Sequence, residues 1–314
     1  MPMFEIRPYT SKDAAAWNAF VSQSKQATFL FDRSYMDYHA DRFRDHSLMV
    51  YRKGRLYALF PANAAGKTLY SHQGLTYGGL LTNQKATAGD VCELFRTVND
   101  HLKSEGFTHI IYKAIPWIYH RLPAEEDLYA LTQVCHATLL IRDISSTIVL
   151  PDRLPLSESR KSGLRKALRE GVTVQESHDL AAFWDILNNN LHNKYGATPV
   201  HTLAELELLQ SRFPEQIKLF MAYKDGTPVG GTMLYLTPQV VHTQYISASP
   251  EGKRLGALDA IFDLLINRTA WTARYFDFGK STENQGTTLN APLIFQKEGF
   301  GGRGVCYDTY EWRL

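Results

Sequence analysis

Tyr245, Asp277 and Lys297 are of residue types that can handle protons and developing negative charge. Asp277 sits between Phe276 and Phe278, so strand alternation aims its carboxylate away from the side the two aromatics share. There it could serve as a general base facing a cleft, or pair with a neighbour such as Lys280. A hydroxyl like that of Tyr245 can hand a proton to a departing thiolate or sugar oxygen, and an ammonium like that of Lys297 can hold an oxyanion or a phosphate. The ordinary alternatives are a packed strand tyrosine and a surface lysine. His242 lies on the same predicted strand as Tyr245. Between Tyr245 and Asp277, the run Lys253-Arg254-Leu255-Gly256-Ala257 leads from that strand into a helix, where basic charge and unbonded backbone N–H groups suit a phosphate. A plain polar turn is the other reading.

These residues need a scaffold, and the pattern around them supplies one: a strand over 242–247, a glycine-marked turn, a helix over 257–269, a strand over 275–281, a polar loop and a helix over 289–300. On the first of these helices Leu258, Ile261, Phe262 and Leu265 form an apolar stripe, and Asp259, Asp263 and Asn267 are expected on a solvated face opposite. Upstream, Lys53-Gly54 and Asp225-Gly226 each separate two apolar runs and predict hairpins. The interval from Gly54 to Tyr70 equals that from Gly226 to His242, and the order of elements in the second half repeats that of the first. Pro151 and Pro155 bracket the expected connection, giving an N-terminal domain over 1–152 and a C-terminal domain over 153–314, the latter carrying the donor site. In the first domain the loop His72 to Gly79, with Tyr77, Gly78 and Gly79, offers close backbone approach to a ligand. In the second, Tyr195 and His201 flank a loop that could line an acceptor cleft. A helix over 158–170 gathers Arg160, Lys161, Arg165, Lys166 and Arg169, a solvated face or a phosphate-binding one.

A chain of 314 residues, 44% hydrophobic and 21% charged, has room for two cores and the composition of a folded protein. Its net charge of +2 gives no broad footprint for nucleic acid, which argues against a DNA partner. The three cysteines are far apart, without CxxC spacing, as expected of a reducing cytoplasm; nothing in the sequence suggests a metal site. No apolar run is long enough to span a bilayer.

Three stretches resemble one family: Arg160-Lys161 through Arg165-Lys166-Ala167 to Gly171-Val172, Phe276-Asp277-Phe278-Gly279-Lys280-Ser281, and Phe295-Gln296-Lys297-Glu298-Gly299-Phe300-Gly301-Gly302. The chain is similar over nearly its whole length to FemAB-like, tandem-GNAT acyltransferases. The last motif of that family usually reads Phe-Lys before Gly-Phe-Gly; here Lys297 takes the lysine position and Gln296 stands where phenylalanine is expected. The pyrophosphate loop common in GNAT proteins, Arg or Gln then two residues then Gly-x-Gly/Ala, has its counterpart in Lys253-Arg254-Leu255-Gly256-Ala257-Leu258, with lysine first and leucine last.

The resemblance implies an α/β fold with a mixed sheet, built as two tandem GNAT-like domains, and transfer of an acyl group to an amine without a covalent nucleophile. It further implies acyl-CoA, such as acetyl-CoA, as donor. Taken with the residue patterns above, the expected donor site is 253–257, the expected catalytic groups are Asp277, Lys297 and Tyr245, and the expected substrate-binding residues are His72, Tyr77, Tyr195, Lys280 and Ser281. The acceptor is then a small molecule or a cell-wall precursor. Two alternatives stay open: an aminoacyl-tRNA donor used to extend a peptidoglycan precursor, with tRNA less favoured because no inserted helical arm is evident, and a non-catalytic ligand-binding or scaffold protein. The acceptor, the oligomeric state and the half that carries the chemistry are left open by the sequence.

Overall fold

The computed structural model describes residues 3–196 and 198–314, the side chains of 193–195 excepted. Two compact units divide the chain: Met1–Asp143 with Thr282–Thr288 and Cys306–Leu314, and Ile144–Ser281 with Leu289–Val305. The expected boundary at 152/153 followed the prolines, yet Leu150–Asp152 is only a short 3-10 turn. What assigns the segments is strand pairing: Ile148 pairs with Phe276, and Glu311 near the C-terminus pairs with Ile111. Such long-range pairing leaves no local signature.

Unit 1 contains β1 (Glu5–Pro8), β2 (Leu48–Arg52), β3 (Arg55–Phe60), β4 (Asn63–Ala65), β5 (Thr68–Tyr70), β6 (Leu81–Thr82) and β7 (His109–Lys113), with helices α1 (Ala14–Gln23), α2 (Arg33–Met36), α3 (Ala88–Ser104) and α4 (Glu126–Gln133). One sheet has the order β1-β2-β3-β6. Lys53 and Gly54 both have positive φ, 49° and 74°, as the tight β2–β3 turn requires. Val91, Leu94, Phe95, Val98 and Leu102 of α3 recur at helical spacing and bury one face with Phe60, Tyr112 and Trp312.

The loop after β5 serves this core. Tyr77 is buried, its hydroxyl 3.1 Å from Thr28 Oγ1 and its ring 4.5 Å from that of Tyr119. A Cβ on Gly78 would lie 1.6 Å from the Ser71 carbonyl oxygen, so the close approach expected of a ligand is made by the chain's own backbone. His72 is also buried, its ring stacked on His39 at 5.2 Å. The expectation that His72 and Tyr77 bind substrate gives way to packing roles.

Burial first, and then the nearness of His39, Lys113 and Arg33, pushes the His72 imidazole down to about 3. The folded value lies below the unfolded one, so the stability it contributes is complete above about pH 6.5 and is lost as pH falls toward 3. Asp127, raised by burial to about 6, acts in the opposite sense between pH 6 and 4. His72→Asn, which tolerates the positive φ, is therefore expected to remove on the order of 3 kcal/mol of acid sensitivity between pH 6.5 and 4. Urea unfolding of both proteins across that range checks it; identical pH slopes would contradict it.

The chain enters unit 2 within β8 (Thr138–Val149), followed by α5 (Glu158–Arg169), β9 (Thr173–Ser177), α6 (Leu180–Tyr195), α7 (Leu203–Arg212), β10 (Ile217–Lys224), β11 (Thr227–Leu236), β12 (Val240–Ala248), α8 (Pro250–Leu255), α9 (Ala257–Asp263) and β13 (Tyr275–Lys280). After β14 (Thr282–Glu283) and β15 (Thr288–Leu289) come α10 (Ala291–Gly299) and β16 (Arg303–Arg313). The sheet of unit 2 runs β8-β13-β12-β11-β10-β9. Its β12–β13 pair is parallel, and the other pairs are antiparallel. Helix α6 packs against β11 and β12, and α9 against β9 to β12. Gly231 permits the first contact, since a Cβ there would stand 2.8 Å from the Phe183 ring.

Two local expectations differ from the structure. Residues 250–255 form a helix, because Ser249 caps Gly252 N–H and Pro250 is pre-set for the first helical position; only Gly256, at φ 79°, remains as the joint to α9. Asp259 and Asp263 are buried, since α5 crosses α9 and supplies Arg160 to Asp259 at 2.9 Å, while Arg268 reaches Asp263 at 2.7 Å.

Candidate active site

β12 and β13 pair through only three positions, Val240 with Tyr275, Val241 with Phe276 and His242 with Asp277. Beyond them β12 continues to Ala248 along β11, while β13 turns away at Gly279, whose φ is 72°. The strands thus form a fork, and the last pair at its apex is a histidine and an aspartate.

Alternation places Phe276 and Phe278 against Phe262 and Phe300 on the α9 side, with Phe278 5.0 Å from Phe262 and 5.7 Å from Phe300. Asp277 points to the opposite face and is 0% exposed. It accepts from His242 Nδ1 at 2.8 Å, Thr147 Oγ1 at 2.7 Å, Gly279 N–H at 3.3 Å and the Ser145 hydroxyl. Burial alone would raise its pKa; the bonds from His242, Ser145 and Thr147 outweigh that and hold it below the ordinary carboxylate value. So enclosed, Asp277 has no open path to a substrate proton. An ionised carboxylate only accepts, so His242 donates from Nδ1 and Nε2 is its basic nitrogen.

The β-bulge between β11 and β12 then decides what shares the face of His242. Tyr235 opposes His242 and Met233 opposes Tyr245, with Gln244 as the extra residue. Tyr245 therefore points to the same side as His242. Its hydroxyl lies 2.6 Å from Nδ1 of buried His201, and burial raises its pKa.

Lys297 is buried, its Nζ donating to the carbonyls of Gly279 and Lys280 at 2.8 Å each, which ties α10 to the end of β13. Burial pushes its pKa down to about 8, against the opposing pull of Asp277. An ammonium so bonded positions the Gly279 turn rather than reaching for an oxyanion. Lys280 is exposed, whereas Ser281 is fully buried and donates its N–H to Ile144 at 2.8 Å. The Tyr195 side chain lies outside the described residues.

Of the predicted phosphate residues, Lys253, Gly256 and Ala257 line a cavity of about 330 Å³ with Arg160, Asp259 and Phe295. Lys253 Nζ is held by Asn190 Oδ1. Leu255 is buried in the core and Arg254 pairs with Glu251 at the surface, so neither belongs to that cavity. A Cβ on Gly256 would stand 2.5 Å from the Gly163 carbonyl oxygen, which shows how closely α5 overlies this joint. Asp259 opposes an anion here; burial pushes its carboxyl up to about 6 despite Arg160.

Sequence reasoning placed His242 on the right strand without giving it the central role, and it missed Ser145, Thr147 and Asn190. Parallel register joins His242 to Asp277 across 35 positions of sequence. Only Asp277's position between two aromatics hinted at a buried partner.

The family model of the acetyltransferase (GNAT) domain matches residues 158–285, a span that holds the β12–β13 fork, His242 and Asp277. These residues form a GNAT acetyltransferase domain. The match covers less than half of the chain, and the solved structures similar to it extend the fold to both units. FemX is 11% identical with a TM-score of 0.70, over 99% of this chain and 97% of that one. The C-terminal domain of a putative lysylphosphatidylglycerol synthetase from Agrobacterium fabrum is 12% identical with a TM-score of 0.61, over 96% and 91%. A tandem GNAT protein from the clavulanic acid biosynthesis pathway is 11% identical with a TM-score of 0.52, over 99% and 98%. The chain thus has a mixed α/β, FemAB-like tandem-GNAT fold. In sequence, no curated protein matches it. Among the described residues no helix is long and apolar enough to cross a membrane.

Proposed function

We propose that the chain transfers an acyl group from acyl-CoA to an amine acceptor at the fork of unit 2. The observation that carries this reading is the His242–Asp277 pair at the point where β12 and β13 part. Past that point the β12 edge facing β13 no longer has a strand beside it, and the amide-bearing arm of a coenzyme A thioester can add to such an edge as a short strand. Its acyl carbon then comes to rest near the apex.

In this mechanism the acceptor amine attacks the thioester carbonyl, His242 Nε2 takes the amine proton, and the C–S bond breaks as the tetrahedral oxyanion collapses. Tyr245, oriented by His201, is placed to protonate the thiolate. Asp277 is a positioning residue: it fixes the His242 tautomer and stabilises the imidazolium as it forms. Lys297 acts on the same geometry by holding Gly279, where a Cβ would crowd the His242 ring at 3.3 Å. Lys253 and Arg160, beside the start of α9, take the donor phosphates. The free cysteines fit a reducing cytoplasm as the site of this reaction.

Incubating the protein with acetyl-CoA and longer acyl-CoA thioesters over a panel of amino sugars and amino-acid amines, read by mass spectrometry, tests this reading. N-acylated product with free coenzyme A is expected. Transfer from aminoacyl-tRNA with no turnover of any thioester would replace the donor and favour a cell-wall-precursor acceptor. That second reading has one observation behind it, the cations Arg165, Lys166 and Arg169 on α5.

The Asp259 carboxylate gives a quantitative check on the phosphate site. Asp259→Asn removes a negative charge from the cavity, worth about 1 kcal/mol, and is expected to lower the acyl-CoA KM roughly fivefold at pH 7.5. Because the wild-type carboxyl titrates near 6, its KM should fall toward the variant's as pH drops from 7.5 to 5.5. Initial rates across that range decide it; a variant KM that rises would remove the donor phosphates from this cavity.

A further inference from the structure

The cavity of unit 2 that holds Lys253 and Arg160 has a wall to which the donor phosphates give no role. Pro292, Phe295 and Gln296 of α10 line it, at spacings that put all three on one face of the helix. Phe295 is 68% exposed, whereas every other phenylalanine of the chain is buried or half-buried. Ile294 and Lys297, both buried, seat α10, so the helix does not depend on Phe295 for its packing.

The same helix brings a cation beside this ring. A Cβ on Gly299 would stand 3.2 Å from Arg160 Cγ, so the bare glycine leaves room for the Arg160 stem, whose guanidinium reaches Asp259 at 2.9 Å. Lys253 comes to the cavity from α8. A phenyl face open to water beside two cations complements a nucleotide, whose phosphates meet the charges and whose base stacks on the ring. Stacking also removes from water the apolar surface that Phe295 exposes. A volume of about 330 Å³ lies at the low end of small-molecule sites, room for the nucleotide end of a donor and not for its acyl arm.

We propose that Phe295 stacks on the adenine of the donor and is the residue by which the chain selects thioesters of coenzyme A. A thioester on a phosphopantetheine arm without a nucleotide, such as the arm of an acyl carrier protein, lacks the group that meets this ring. The proposal rests on the acyl-CoA reading of unit 2 and adds donor selectivity to it. Phe295 lies in the cavity of the phosphates and not at the His242 apex, so it is a specificity residue and takes no part in the proton transfers.

Calorimetric titration of the wild type and Phe295→Ala with coenzyme A, dephospho-coenzyme A and 4′-phosphopantetheine tests the proposal. The wild type is expected to bind 4′-phosphopantetheine at least about tenfold more weakly than coenzyme A. Phe295→Ala should weaken coenzyme A and dephospho-coenzyme A by about tenfold each and 4′-phosphopantetheine by less than about twofold, with an unchanged melting curve. Phe295→Trp, which keeps an aromatic face, should hold coenzyme A within about threefold of the wild type. In turnover, Phe295→Ala should raise the acetyl-CoA KM with kcat within about twofold. Three outcomes overturn the proposal while leaving the acyl-CoA reading in place: Phe295→Ala binds coenzyme A as the wild type does, it loses 4′-phosphopantetheine as much as coenzyme A, or the wild type binds these two equally. If the wild type binds neither coenzyme A nor its thioesters at millimolar concentration, the acyl-CoA reading and the proposal fall together.

Discussion

His242→Ala lowers kcat for acyl transfer by about 10²–10⁴-fold while leaving the acyl-CoA KM within about threefold of wild type. The size follows from the proposed role: the variant loses the group that would take the amine proton, and the other ionisable side chains at the apex among the described residues are already engaged. Asp277 is enclosed by its donors, Lys297 is already protonated below about pH 8 and bonded to two carbonyls, and Tyr245 is held by His201. KM is spared because the proposal seats the donor phosphates elsewhere, beside α9. Steady-state rates over a donor series provide the measurement. Equal turnover in wild type and variant would take His242 out of the mechanism, and a large rise in KM with kcat unchanged would make it a binding residue.

Asp277 is expected to affect both stability and rate. Asp277→Ala leaves the hydroxyls of Ser145 and Thr147, the Gly279 N–H and the His242 ring short of an acceptor inside the protein, at a cost of about 3–5 kcal/mol in unfolding free energy. Asp277→Asn is the gentler change, costing about 1–3 kcal/mol. It still lowers kcat by about 10²–10⁴-fold, because an amide can donate to Nδ1 and so favour the wrong tautomer. The wild-type carboxylate also sets a sign for pH. Its folded pKa is lowered, so its stabilising effect is complete above the ordinary carboxylate range near pH 4 and is lost as pH falls through the folded value. Urea unfolding at pH 7 and at pH 3 should show the difference between wild type and Asp277→Asn shrinking in acid. A difference independent of pH would mean that the carboxylate is not the stabilising species.

How much of this was legible in the sequence depended on whether the signal was local. The turns at Lys53-Gly54 and Asp225-Gly226 need positive φ, a demand that residue types announce, and both turns formed with it. The alternation Phe276-Asp277-Phe278 likewise fixed which way the carboxylate points, because period two is a property of the strand itself. Ser249-Pro250 carried an equally local helix-start signal, overlooked because the glycine and basic residues that follow resembled a phosphate loop. What could not be seen was set by partners distant in sequence. Asp259 and Asp263 lie opposite an apolar stripe and so read as solvated; the crossing of α5, with Gly163 allowing the close approach, encloses Asp259, and Arg268 and Asn267 hold Asp263. Tyr77 and His72 looked ligand-facing because their loop is rich in glycine, yet the space those glycines leave is filled by the chain itself. The pairing of His242 with Asp277 depends on parallel register, and the bulge at Gln244 that turns Tyr245 to the same face depends on β11.

The central claim is that the fork between β12 and β13 seats the acyl donor with its reacting carbon at His242. A crystal structure of the protein with a non-hydrolysable acyl-CoA thioether tests it most directly. The account predicts the pantetheine arm along residues 243–248 of β12, the phosphates beside Lys253 and Arg160, and the acyl carbonyl within hydrogen-bonding reach of His242 Nε2 or one water away, roughly 3–5 Å. An analogue that binds outside the fork, or that at millimolar concentration leaves the fork empty and the protein unliganded, would contradict it.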